Sequence, residues 1–340
     1  MNKTIEKQRE DIANALIQLL NSERELEWKA GWFSNGFGEG DKNAVSGKTY
    51  KGSNLLVTYI TRSINGYKDN RWLTFKQAHD LGGNVKKGEK GIGLLKYQEI
   101  DLSTKQPPKW EEIRALDMEE RIAYIKENIR IYANRFVVFN VEQCENLKLK
   151  APEKKEMSAE ELAKNNELIE KVISNSGAPI FYDGGSMAFY RPSTDDIHLP
   201  AIEQFKTKQD YYATALHEIA HSTGHESRLN RNLNNNFGSK EYAKEELRAE
   251  ISSIFMQAEL GLKIDGQVME NHGAYVQGWK EIAQEPNNLF EVINEAKDIT
   301  DYIKDNYLDG KSNQKGLGLI ENGNDVGTKI EPLLEMEKER

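Results

Sequence analysis

His217 and His221 stand four residues apart with Glu218 beside the first of them, inside the run ATALHEIAHSTGH. On an α-helix, residues four apart lie one turn above each other on the same face. Two imidazoles at this spacing can therefore share one metal ion. Glu218 is placed to take a proton from a water polarised by that ion, which is the chemistry of metal-assisted hydrolysis. Five letters of pattern occur by chance, so the helical context matters. Ala213, Leu216, Ile219 and Ala220 supply an apolar side to a helix expected at 208–222. The chain has only six histidines, and three of them fall in the nine positions from 217 to 225.

A catalytic ion of this kind needs a third protein ligand, and three side chains compete for the place. His225 nearly completes the metzincin spacing, with Gly224 at the glycine, but the last histidine of that pattern falls at 227, where Ser227 stands. Were the helix to continue, the Cα atoms of His217 and His225 would be ~12 Å apart at 1.5 Å per residue, too far for comfortable joint ligation. Glu245 and Glu246 lie downstream in EYAKEELRAEISSIFMQAELGL, whose Leu247, Ile251, Ile254, Phe255 and Leu260 mark a second buried helix. Glu246, 25 positions after His221, is the gluzincin solution, and Glu250 one turn on would orient a ligating imidazole. Glu246 ranks ahead of Glu245, with His225 behind both. A His/His/Glu set with a position left for water favours Zn²⁺.

These residues need elements to hold them. The first twenty residues carry the periodic apolar positions of an amphipathic helix. An aromatic- and glycine-rich stretch, WKAGWFSNGFGEG, reads as loop. SNLLVTYI and KGIGLLKYQ read as short strands, TFKQAHDLGG as a helix closed by glycine, and RFVVFNVEQC as a buried strand. The charged residues of about 102–134 follow helical spacing and read as an inserted arm. Ser158 and Glu161 resemble a helix start. The expected fold class is α+β. Residues 1–148 would form an α+β domain with a small sheet, 149–157 a linker, and 158–306 a mainly helical, zincin-like domain. A polar tail would fill 307–340.

Composition narrows the function classes. The chain has 340 residues, 30% of them charged, and a net charge of −9. No apolar run approaches the ~20 residues of a membrane span, so no membrane partner is expected. The N-terminal segment lacks the pattern of a signal peptide, and Cys144 is the single cysteine, which permits no internal disulfide. The expected location is the cytoplasm. From Trp28 to Gln98, however, twelve basic residues face five acidic ones, a local charge of +7 within an acidic chain. Trp32, Trp72 and Phe75 are interleaved with Lys51, Arg71, Lys86, Lys87 and Lys90 in this segment. Exposed base faces and phosphates of a single strand call for that mixture, although core aromatics produce it too.

Larger stretches carry a resemblance. TYKGSNLLVTYI, RWLTFKQAHDLGGNVKKGEKGI and RFVVFNVEQCENL resemble the N-terminal domain of ArdC-type antirestriction proteins, a domain also found at the front of some plasmid primases. MAFYRPSTDDIHLP, YYATALHEIAHSTGHESRLNR, FGSKEYAKEELRAEISSIFM and HGAYVQGWKEIA resemble the metallopeptidase-type domain that follows it. The resemblance implies a domain binding single-stranded DNA joined to a zincin-like domain, with a role in shielding incoming DNA from restriction. It implies metal ligands at His217, His221 and Glu246 with Glu218 as base, and a restriction-system component or protein substrate as partner. The ExxAE segment from Glu246 to Glu250 also resembles the ImmA/IrrE peptidases. That supports the alternative of a site-specific peptidase cutting a regulatory protein, with the N-terminal domain used for targeting only.

Overall fold

The computed structural model of the chain describes residues 3–21, 40–150, 158–261, 276–310 and 330–331. Most of the aromatic-rich loop, Trp32 included, lies outside the described residues, as do most of the expected linker and tail.

The N-terminal half is a mixed sheet carrying two helices. Helices α1 (Lys3–Asn21) and α2 (Gly52–Asn65) pack together and against the sheet. The sheet contains β1 (Lys42–Asn43), β2 (Arg71–Thr74), β4 (Ile92–Asp101), β5 (Ile129–Asn140) and β10 (Ile330–Glu331). A short helix α3 (Phe75–Asp80) leads to a small ribbon of β3 (Asn84–Val85) and β6 (Cys144–Glu145). Thr74 and Gln77 close the start of α3 with a reciprocal capping box.

Two expectations need correction here. SNLLVTYI is helix α2, not a strand. Leu55, Leu56, Val57, Tyr59 and Ile60 are buried on nearly every side, and so continuous an apolar run has lost the periodicity that separates helix from strand. Gly66, in the left-handed region at φ 69°, closes the helix. The insertion does not run to 134. It forms α4 (Trp110–Ala115) and α5 (Met118–Asn128), after which β5 begins and pairs antiparallel with β4 from Ile129↔Asp101 to Val138↔Ile92. The arm is thus a cap on a long hairpin, held by Ile113, Ile125 and Ile129 packed with Trp110 and Tyr124.

In the C-terminal half, α6 (Ala159–Ser174) opens with the Ser158/Glu161 capping box. A three-stranded sheet follows in the order β7 (Ile180–Phe181), β9 (Asp196–His198), β8 (Phe189–Arg191). Then come α7 (Lys208–Ser222), α8 (Lys240–Glu259), α9 (Val276–Ala283) and α10 (Pro286–Ile303). One hydrophobic core crosses both halves. Leu55, Leu56, Tyr59 and Ile60 of α2 join Leu247, Ile251, Ile254 and Phe255 of α8, with Trp279 and Phe290 behind them. A second core gathers α6, α7 and α10 around the opposite side of α8, at Ala249 and Met256. Cutting the chain near 150 would therefore expose the apolar faces that these helices share. Among the described residues no helix is long and apolar enough to cross a membrane.

Helix α2 is braced by a buried ion pair. Arg62 Nε donates to Asp41 Oδ1 at 2.7 Å, with both side chains almost fully enclosed. Burial pushes the Asp41 carboxyl up to about 6, against the pull of Arg62. A carboxyl raised above its unfolded value makes the fold gain stability as pH drops from about 6 toward the unfolded value of 3.8. Arg62→Ala should cost roughly 3–5 kcal/mol at pH 7, because it strands the Asp41 charge. The deficit should shrink at pH 5, where Asp41 takes up a proton. Urea unfolding of the full chain at the two pH values reads this; an equal loss at both would refute it.

Candidate metal centre

Two buried helices build the site. Thr207 starts α7: its hydroxyl accepts from the Asp210 N–H, and the Asp210 carboxylate accepts from the Thr207 N–H. The helix spans the expected 208–222 and is buried almost all round because Tyr211, Tyr212, Ala215, Leu216 and Ile219 pack into the second core. Ser239 caps α8 by accepting from the Tyr242 N–H. Where the two helices face each other, His217, His221 and Glu246 converge, with one donor atom from each lying within 4.8 Å of the others.

The donor spacings test whether an ion fits. His217 Nε2 and His221 Nε2 are 3.1 Å apart; His217 Nε2 lies 3.6 Å from Glu246 Oε2 and His221 Nε2 lies 3.6 Å from Glu246 Oε1. Tetrahedral ligands at 2.0–2.1 Å from a zinc-sized ion are about 3.3 Å apart, so two ring nitrogens facing the two oxygens of one carboxylate at these spacings leave room for such an ion between them. His225 is elsewhere. Its Nδ1 meets Ser227 Oγ at 2.8 Å and faces Asp195, off the cluster. Glu245 points to the far nitrogen of His221 (3.2 Å from Nδ1), and Glu250 lies 3.4 Å from Nδ1 of His217. Each imidazole thus has a carboxylate behind it, an arrangement that fixes ring orientation and tautomer.

Electrostatics follow from this crowding. Burial disfavours charge on Glu246, but His221 and His217 more than offset it and hold the carboxyl down at about 2. Burial acts the same way on Glu245, and the His221 and Arg231 contacts bring it down to about 2. Burial alone would lower His217, yet the carboxylates of Glu246 and Glu250 raise it well above its ordinary value. An ion held there would need the neutral ring and would compete with a proton for it. Glu218 is almost fully buried, which pushes its carboxyl above the ordinary value despite the neighbouring histidines, and it accepts a hydrogen bond from the Tyr190 backbone N–H. A raised carboxyl is better matched to general-base work near neutrality. These groups form one wall of a cleft of about 760 Å³ whose other side includes Met187, Phe189, Tyr190, Phe205 and Leu233.

Two family profiles match the chain in order. The N-terminal domain of anti-restriction factor ArdC matches residues 6–139, and a zincin-like metallopeptidase domain matches residues 167–295. The chain belongs to the ArdC antirestriction family. A solved ArdC antirestriction protein from plasmid R388, metal-free, is 26% identical with a TM-score of 0.57, covering 88% of this chain and 98% of that one. Its Mn(II)-bound structure is 27% identical with the same TM-score, over 88% and 97%. A DNA primase TraC of Escherichia coli is 38% identical over 299 residues, 86% of this chain but 27% of the primase. The uncharacterized protein y4eC of Sinorhizobium fredii is 30% identical over 273 residues, 80% of this chain and 83% of that protein.

In this ArdC-family chain the residues expected to meet a nucleic-acid strand are unevenly placed. Phe75 is 61% exposed at the start of α3, and Lys86, Lys87 and Lys90 are exposed in the turn after β3, against which α3 packs. Lys76 is exposed beside Phe75 as well. Trp72 is a correction. It is fully buried, edge-on to Tyr67 in the shared core, so its ring offers no face to a base. Arg71 is clamped on Asp69 at 2.7 Å and on the Lys150 carbonyl, and Lys51 pairs with Glu259 of α8 at 2.7 Å.

Proposed function

We propose that this chain is an antirestriction protein that binds single-stranded DNA through its N-terminal half and carries a zinc-dependent peptidase-like centre in its C-terminal half. The observation that carries the reading is the convergence of His217, His221 and Glu246 at a cleft wall, with Glu218 buried beside them. In this reading the three side chains hold Zn²⁺, the metal their donor types favour, and Mn²⁺ is the ion named for the R388 relative. Bound there, the ion would supply Lewis acidity. Glu218, held in place by the Tyr190 N–H, would serve as the general base at its carboxylate. Titration of the full chain with Zn²⁺ and with Mn²⁺ tests the centre directly. Uptake of one equivalent is expected, and no uptake of either overturns it.

For the strand-binding half, the surface of Phe75, Lys76, Lys86, Lys87 and Lys90 supports contact with bases and phosphates together. Phe75→Ala should cost about 1–3 kcal/mol of affinity for an oligonucleotide if it stacks on a base. Replacing Lys86, Lys87 and Lys90 with alanine should flatten the salt dependence by about 0.7 per lost phosphate contact. Fluorescence anisotropy of the full chain with single- and double-stranded oligonucleotides at two salt concentrations measures both. Equal affinity for the two forms, or a triple variant with the parent's salt slope, removes the DNA half of the reading.

A second reading, a site-specific peptidase of the ImmA/IrrE type, is favoured by one feature. β8 is an edge strand beside the cleft, and an extended peptide can add to such an edge through its main chain. Sequence-selective cleavage of a protein by a chain that binds no DNA would favour it.

A further inference from the structure

We infer that Arg231 is the positioning residue of the metal centre, stapling the end of α7 to the carboxylate that orients His221. The inference rests on the metal reading above. It concerns a residue that the sequence did not single out, set in the polar run SRLNRNLNNN.

The guanidinium of Arg231 is nearly buried and engages both ligand-bearing helices at once. From one nitrogen it donates to the Ala220 carbonyl of α7 at 2.9 Å and to Glu245 Oε1 of α8 at 2.8 Å. From another it donates to Thr223 Oγ1, the residue that closes α7, at 2.8 Å. Its Nε lies 3.3 Å from the second oxygen of Glu245. Helix C-termini carry unpaired carbonyls and negative dipole, so a cation there is doubly favoured. Glu245 in turn lies 3.2 Å from His221 Nδ1. The chain is therefore carboxylate to imidazole in one direction and carboxylate to guanidinium to helix end in the other.

The loop after α7 is shaped to return Arg231 to this place. The Leu229 N–H donates to the Thr223 carbonyl and the Arg231 N–H to the Gly224 carbonyl, both at 2.9 Å. A side chain on Gly224 would begin 3.0 Å from the guanidinium and 2.8 Å from Leu233. A Cβ at the glycine that mimics the metzincin spacing would thus press on the ends of both Leu233 and Arg231. Arg248 offers a contrast. It lies 3.3 Å from Glu245 but sits one turn on along the same helix and pairs with Glu295, and among the described residues it makes no ion pair to α7.

The test uses the full chain, chelator-stripped, with Zn²⁺ affinity read by competition with a chromophoric chelator and ligand geometry read from Co²⁺ absorption bands. Arg231→Gln should weaken Zn²⁺ binding about 10–100-fold, the usual cost of losing an outer partner of a ligand, and shift the Co²⁺ bands. Arg231→Lys, which reaches fewer of the partners, should fall between, and it serves if the glutamine variant misfolds by circular dichroism. Arg248→Gln removes a charge beside Glu245 without the bridge and should leave both readouts near the parent. A parent that binds Zn²⁺ together with an Arg231 variant of equal affinity and unchanged bands overturns the inference alone. A parent that takes up neither ion overturns the metal reading and the inference with it.

Discussion

Replacing His217 with alanine should strip the metal from the chain. The ring is almost fully buried and supplies one of the three donor atoms that converge among the described residues. The remaining pair, His221 and Glu246, cannot complete a closed set, so affinity should drop by more than the ~100-fold that loss of an outer partner costs. The fold should suffer as well. Glu246 and Glu250 then lose the imidazole between them and are left as partly or fully buried carboxylates in a crowded space. Metal content by atomic emission after dialysis, set beside circular dichroism, separates the two effects. His225→Ala is the control and should keep the parent's stoichiometry, because that side chain faces Ser227 and Asp195. Unchanged metal in the His217 variant, or metal lost in the His225 variant, would reverse the ligand assignment.

Glu218→Gln should separate binding from chemistry. The amide is close in shape and Glu218 is not among the donor atoms, so metal uptake should match the parent. With the base gone, hydrolysis should fall by about 10²–10⁴-fold. Stability should not fall with it. Burial raises the Glu218 carboxyl, which means that the fold at neutral pH bears an unfavourable charge that the amide removes. The full chain loaded with Zn²⁺ and assayed on a fluorogenic peptide library, with thermal unfolding in parallel, gives all three readouts. A Glu218→Gln variant cleaving at the parent rate would rule out Glu218 as the base.

Much of this was legible in one dimension, and the reason is local. Helix periodicity is a property of adjacent residues, so the spacing of His217 and His221, the apolar side of α7 and the bounds 208–222 needed no tertiary information. The same holds for the Ser158/Glu161 capping box and for Glu246 and Glu250, four apart on α8. Local signals failed where burial is complete or where partners are distant. The run from Leu55 to Ile60 lies between α1, β4 and α10, so it is apolar on nearly every side and a window of neighbours cannot tell helix from strand there. Trp72 reads as a stacking aromatic by composition and is core by packing. Composition placed Lys51 and Arg71 beside Lys86, but Glu259 and Asp69 pair with the first two, whereas Lys86 donates to the Glu142 carbonyl. Arg231 lies in a polar loop with no periodicity to mark it, and its contacts with α7 and Glu245 exist only once the loop has folded back between the two helices. Residue spacing along a helix determined which side chains could share an ion. The packing of α7 against α8, set by two cores that meet on α8, decided that they converge and which carboxylate stands behind each imidazole.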